Sequence, residues 1–230
     1  MGEVPKQRLV ITVDGPAGSG KTTTAKEIAV RLGYRHLDSG ALYRALTYAL
    51  LKAGIEESDW PELTSDDLSA LGVRADASVG VVDLYLADTL LGDELRTPEV
   101  TRNVPAVAKL RPVRTWLLDI QRQLGLDGSL VADGRDMGSV VFPDADLKVF
   151  LVASLEERAR RRLLQDTGLD PTESEVEAEA ARLHARDAID SERELSPLRR
   201  PEGALDIDTT KLEFEEQVQA ILKRVIDLTE

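Results

Sequence analysis

The chain has 230 residues, of which 42% are apolar, 31% charged and 4% aromatic; that is enough for one α/β domain with insertions around a sizeable core. Lys plus Arg number 29 against 42 Asp plus Glu, a net charge of −13, which argues against nonspecific binding to nucleic acid or an anionic membrane and requires any anionic ligand to be met by local arginines. Cysteine is absent, so disulfides and thiolate metal sites are excluded; no long apolar run is present and Met1–Gln7 does not read as a signal peptide, so a cytoplasmic location is expected.

Arg8–Asp14 (RLVITVD) reads as a buried parallel strand. A glycine-rich loop follows, then an amphipathic helix over Lys21–Leu32 with Ala25, Ile28, Ala29 and Leu32 on one face and Gly33 suited to its C-terminal cap. Tyr34–Leu37 is a short second strand, and Asp38-Ser39 caps a helix that ends at Gly54. Between Leu63 and Arg96 the runs GVRAD, GVVDLYLAD and TLLGDELR predict three antiparallel strands outside the main sheet. Thr97-Pro98 opens a helical stretch that Pro105 and Pro112 are expected to break into pieces. Ser129–Asp133 and Leu147–Ala153 are further core strands, and Ser154-x-x-Glu157 and Thr172-x-x-Glu175 are capping boxes that start two helices. Ala204–Asp208 is a fifth strand, and the last helix carries Phe214, Val218, Ile221, Leu222 and Val225 on one face. Strands alternating with helices predict a parallel sheet covered on both sides.

Gly15-Pro16-Ala17-Gly18-Ser19-Gly20-Lys21-Thr22 fits the pattern G-x-x-x-x-G-K-[ST], with Thr23 next. Glycines let the backbone turn its N–H groups onto phosphates, the helix adds its positive dipole end, Lys21 can reach the β and γ phosphates, and the Thr22 hydroxyl can ligate Mg²⁺. A second acid is needed near the metal. Asp133 ends a strand where such an acid belongs, while Asp14 also ends a strand but precedes the loop, where it can cap the turn. A guanine-reading N-K-x-D motif is missing from the sequence, which argues against a GTPase switch. A small kinase needs a second, arginine-rich phosphate site, and Arg44, Arg135 and Arg193 stand at predicted element ends. Arg158, Arg161 and Arg162 fall at i, i+3 and i+4, one cationic stripe on the helix after Ser154.

The segments D-G-P-A-G-S-G-K-T, L-D-S-G-A-L-Y-R (37–44), A-D-G-R-D-M-G-S-V-V-F-P-D-A (132–145), A-R-D-A-I-D-S-E-R (185–193) and the tail P-L-R-R-P-E-G-A-L-D-I-D-T-T resemble bacterial cytidylate kinases in order and spacing, over essentially the whole chain. The resemblance implies a P-loop NTPase three-layer sandwich with a five-stranded parallel sheet, a small antiparallel β insert at the acceptor site and a helical lid. The implied division is a core at 1–62, 97–153 and 191–230, an insert at 63–96 and a lid at 154–190. It implies transfer from ATP to CMP or dCMP; Mg²⁺ is expected on Thr22 and Asp133, the chain is expected to be a monomer, and its charge and hydropathy speak against nucleic-acid or membrane partners. Arg44, Arg135 and Arg193 would grip the acceptor phosphate, Arg158 and Arg162 would close over the donor phosphates or base, and Arg161 lies on the same stripe. Asp136 would accept from the cytosine amino group, Arg114 would donate to the ring acceptors, Ser39 would touch base or phosphate, and Arg186 and Asp190 would meet the ribose. Arg186 and Asp190 also stand at i, i+4, the spacing of a surface ion pair. Two positions depart from the family pattern: Pro105 stands near a usual serine, and Ile189 replaces a lid arginine. His36, His184, Trp60 and Trp116 read as structural. Two other readings remain open at this level, a P-loop kinase for UMP or another small acidic acceptor and a nucleotide-binding regulatory module without turnover.

Overall fold

The structure, a computed structural model, describes residues 8–76 and 80–229; Met1–Gln7, weighed above as a leader, lies outside them. Five strands, β1 (Val10–Asp14), β2 (Arg35–Asp38), β6 (Leu130–Gly134), β7 (Leu147–Val152) and β8 (Leu205–Asp208), form an all-parallel sheet in the order β2-β6-β1-β7-β8. β1 is central, so the loop that follows it opens at the middle of the sheet's C-terminal edge, where parallel α/β sheets bind ligands. Three shorter strands, β3 (Val73–Asp76), β4 (Asp83–Leu86) and β5 (Thr89–Leu90), make the separate antiparallel insert expected from the sequence.

Ile11, Val13, Val131, Val149 and Leu151 are buried on one face of the sheet against α1 (Lys21–Leu32) and α8 (Phe214–Asp227). Leu37, Leu130 and Ala132 face the other way, against α2 (Ser39–Lys52), α4 (Pro98–Val107) and α5 (Arg111–Gly125). The same second core contains Leu68 of α3 (Ser65–Ala70) and Val73, Val82, Leu84 and Leu91 of the insert, so the insert is anchored by burial rather than hung from the surface. Trp60 is buried there with its Nε1 donating to Ile55 O, and Trp116 donates to Ser69 Oγ; both pack structure, as expected. A third, smaller core of Ala17, Ala159, Val176 and Leu183 joins α6 (Leu155–Thr167) and α7 (Glu173–Glu192) to the glycine-rich loop.

Several local expectations are corrected. Pro105 does not break its helix: α4 runs through it to Val107, because a missing N–H in the last turn costs one bond while Val100, Val104 and Val107 remain buried. The break comes at Lys109–Leu110, and Pro112 stands in the first turn of α5, where its N–H is not needed. Phe214 is 41% exposed, outside the apolar face formed by Val218, Ile221 and Val225. The cap of α2 is Asp38 alone, whose carboxylate accepts from the Ala41 N–H; Ser39 is already helical. Thr172 and Glu175 form both halves of a capping box, whereas Ser154 caps α6 through the Glu157 N–H and the Glu157 carboxylate turns instead to Arg161.

Candidate active site

The loop Gly15–Gly20 joins β1 to α1 and leaves the first amides of α1 without a side-chain cap, since the N-cap is Gly20. A Cβ at Gly15 would lie 2.3 Å from Leu151 O, so the loop can descend onto β7 only with glycine there. Gly20 has φ 85, the left-handed conformation that turns the chain into the helix. The result is an uncapped helix N-terminus, which suits an anion. Lys21 bends back over this loop, its Nζ donating to Pro16 O at 3.2 Å. Burial and the neighbouring Arg135 lower its pKa to about 7.

The two candidate metal acids separate by their partners. Asp133 Oδ2 accepts from the Thr22 hydroxyl at 2.6 Å, and its Oδ1 meets His36 Nε2 at 2.8 Å. Asp14 accepts from the backbone N–H groups of Met137 and Gly138 at 2.8 and 2.7 Å, so it caps the wide turn Met137–Val141 after β6. Asp38, in register with Asp133 on the adjacent strand, completes the acidic group; burial and the Asp133 charge push its carboxyl above the usual range.

One cleft runs from this loop to α2 and α4. Gly18, Gly20, Lys21, Thr22 and Thr23 line it at one part, Ser39, Arg44, Arg114, Asp136 and Arg193 at another, and Arg135, Arg161, Arg162, Arg186 and Asp190 border it too. Arg114 and Asp136 form a buried ion pair, with the Arg114 guanidinium 5.5 Å from the Tyr43 ring centre and a second donor on Ala108 O. Arg44 donates to Thr101 Oγ1 at 3.0 Å and to Leu95 O at 3.3 Å. It lies within α2 rather than at an element end, and is aimed into the cleft by helical phase. Asp190 bridges Arg135 at 2.9 Å and Arg193 at 3.5 Å. This corrects the i, i+4 pairing with Arg186, which meets no carboxylate at ion-pair distance among the described residues. Burial and Arg135 hold Arg186 down to about 10. Burial also lowers Arg44 and Arg193, each next to another arginine. Guanidiniums held together at a cost in desolvation and mutual repulsion are poised for a polyanion.

The stripe expected on α6 divides. Arg158 is buried beneath the glycine-rich loop, where it donates to Ala17 O at 2.9 Å and pairs with Asp187, whose other oxygen accepts from the Ala17 N–H at 3.0 Å. Arg161 is held by Glu157 and Thr209 O, and Arg162 by Asp166 alone, so only these two present their guanidiniums to the cleft. Pro105 is not among the cleft residues, while Thr101 and Val104 of the same helix and its C-cap Ala108 are. Ile189 is 40% exposed. Asp187, Arg96 and Thr101 were not singled out from the sequence, His36 was read there as structural, and Asp38 only as a helix cap. The partners of Asp187, His36 and Thr101 lie on other elements, and nothing in local spacing announces them. His184 is exposed.

The sequence profile described as Cytidylate kinase matches residues 11–227. The chain is similar to the cytidylate kinase of Clostridioides difficile (strain 630), 43% identical over 219 residues that cover 94% of this chain and 98% of that protein. It is similar also to the cytidylate kinase of Exiguobacterium sp. (strain ATCC BAA-1283 / AT1b), 44% identical over 224 residues, 96% of this chain and 98% of that one. Among solved structures, an uncharacterized protein from Eubacterium ventriosum ATCC 27560 superposes with a TM-score of 0.51 at 11% identity, over 94% of this chain and 98% of its own, a likeness of fold alone.

Proposed function

The chain belongs to the cytidylate kinase family, and on that premise we propose that it transfers the γ-phosphate of ATP to CMP and dCMP, as a monomer in the cytoplasm. The carrying observation is that one cleft holds both the glycine-rich loop and the buried Asp136–Arg114 pair. A phosphate monoester has its second pKa near ~6, so the acceptor oxygen is already mostly anionic at neutral pH and needs no general base. The barrier lies instead in bringing two polyanions together in line.

Gly15, Pro16, Ala17, Gly18, Ser19, Gly20, Lys21, Thr22 and Thr23 would cradle the donor phosphates. Arg44, Arg135 and Arg193 would grip the acceptor phosphate bidentately, which lysine cannot do. Arg161 and Arg162 would come over the donor from the lid, taken as 154–190, while Arg158 acts by bracing the loop from below. Asp190 and Arg186 would meet the ribose, and Ser39 the acceptor nucleotide; the insert at 63–96 would shape the acceptor end. Thr22 Oγ1 and Asp133 Oδ2 converge at 2.6 Å, an oxygen pair that suits Mg²⁺. Such an ion takes one or two protein ligands plus phosphate and water. When bound there, Mg²⁺ supplies charge neutralisation between the phosphates.

Asp136 accepts a hydrogen bond from the cytosine amino group, where uracil presents an acceptor that it repels. ADP release measured with CMP, dCMP, UMP and AMP is expected to rank the cytidine nucleotides first. Asp136→Asn should narrow the CMP-to-UMP preference by about one to two decades, the equivalent of ~1–3 kcal/mol for a mismatched polar group. Equal trace turnover with all four acceptors would overturn the assignment.

A further inference from the structure

β2 is the outer strand of the parallel sheet, yet its middle residue is held on both edges. The His36 N–H donates to Gly80 O, and His36 O accepts from the Val82 N–H, each at 2.9 Å. This isolated parallel bridge to Val81 stitches the sheet to the chain leading into β4 of the insert. The register sets His36 beside Val131 of β6, and therefore on the face that also carries Asp133, two residues further on. There His36 Nε2 reaches Asp133 Oδ1 at 2.8 Å, with the two side chains 4% and 1% exposed. The opposite oxygen of Asp133 receives the Thr22 hydroxyl. The other ring nitrogen, Nδ1, is buried without a hydrogen-bond partner among the described residues. An imidazole with one nitrogen unpaired is a costly way to fill space that an apolar side chain would fill as well. The ring's one polar contact among the described residues goes to the carboxylate beside the glycine-rich loop.

We propose that His36 is a positioning residue for phosphoryl transfer: it holds the Asp133 carboxylate so that Oδ2 stays with Thr22, and it ties that carboxylate to the seating of the insert. The inference rests on the reading of Thr22 and Asp133 as the metal pair. A partner of this kind fixes the orientation of a ligand rather than touching substrate, and its loss typically costs about 10–100-fold in metal affinity.

The test is Mn²⁺ titration of the enzyme–ATP complex, read by electron paramagnetic resonance, in wild type, His36→Leu, His36→Gln and Asp133→Asn. His36→Leu is expected to weaken Mn²⁺ at least about tenfold, and His36→Gln, which keeps a side-chain donor, to recover most of the loss. At saturating metal the KM for CMP should stay within about twofold while kcat falls. In the Asp133→Asn background, His36→Leu should add nothing further. Wild-type Mn²⁺ affinity in His36→Leu, with Asp133→Asn weakened, overturns the role of His36 alone. Wild-type affinity in Asp133→Asn overturns the metal pair and this inference with it. A His36→Leu loss that adds in full to that of Asp133→Asn marks a packing defect and also overturns it. His36→Phe, equally donor-free, is carried through the same titration so that the comparison with His36→Gln stands if the leucine variant does not fold.

Discussion

Asp14 and Asp133 stand in the last two positions of neighbouring strands and carry the same chemistry, but their surroundings give them different work. Asp133 faces a hydroxyl and an imidazole, and Asp14 faces two backbone N–H groups. Those N–H groups favour the charged form of Asp14, yet complete burial outweighs them and raises its pKa from 3.8 to about 7. Between those values the folded state keeps a proton that the unfolded state has released. The stability this group contributes is therefore fully present below its unfolded pKa and is lost as pH rises towards about 7. Melting of wild type and Asp14→Asn, followed from about pH 5 to about pH 8, is expected to show wild type losing ground relative to the variant up to about pH 7 and no further change above it. A difference independent of pH would mean that Asp14 titrates like an ordinary surface carboxylate.

Elements began and ended where local chemistry directed, except where tertiary packing overruled it. α1 runs over Lys21–Leu32, as its apolar spacing and Gly33 predict. α4 ignores Pro105 because three buried valines hold its last turn. The turn before β6 is set by a close approach instead: Gly128 has φ 64, and a Cβ there would lie 2.1 Å from Arg8 O. Gly128→Ala is accordingly expected to destabilise by more than about 2 kcal/mol, since both backbone conformation and space forbid it. Thr172→Ala, which removes one half of the capping box of α7, should cost about 1 kcal/mol. Urea unfolding of the two variants checks the order; a Thr172→Ala loss equal to that of Gly128→Ala would contradict it.

At the scale of the molecule, net charge and local charge have opposite signs. A chain at −13 repels nucleotides at long range, while the cleft gathers Arg44, Arg135, Arg162, Arg186 and Arg193. These guanidiniums act at contact distance and are partly desolvated, so salt screens them less than it screens the surface acids. Raising ionic strength from about 0.05 to about 0.3 M is expected to change the KM for CMP by no more than about threefold, whereas a site that relied on long-range steering would weaken by more than about tenfold. Steady-state kinetics across that range separates the two.

The glycine-rich loop, the alternation of strands and helices, and the separate antiparallel insert were all legible in the residues, because each depends on contacts within a few positions of chain or on a repeat of two or 3.6. The candidate arginines were legible as residue types in motifs. Their division was not: the burial of Arg158 under Ala17, the pairing of Arg135 with Asp190, and the binding of His36 to Asp133 join residues far apart in sequence. Local periodicity carries the preferences of a segment, but which buried charge finds which partner depends on how the strands are ordered and how the helices lie across them, and only the folded chain decides that.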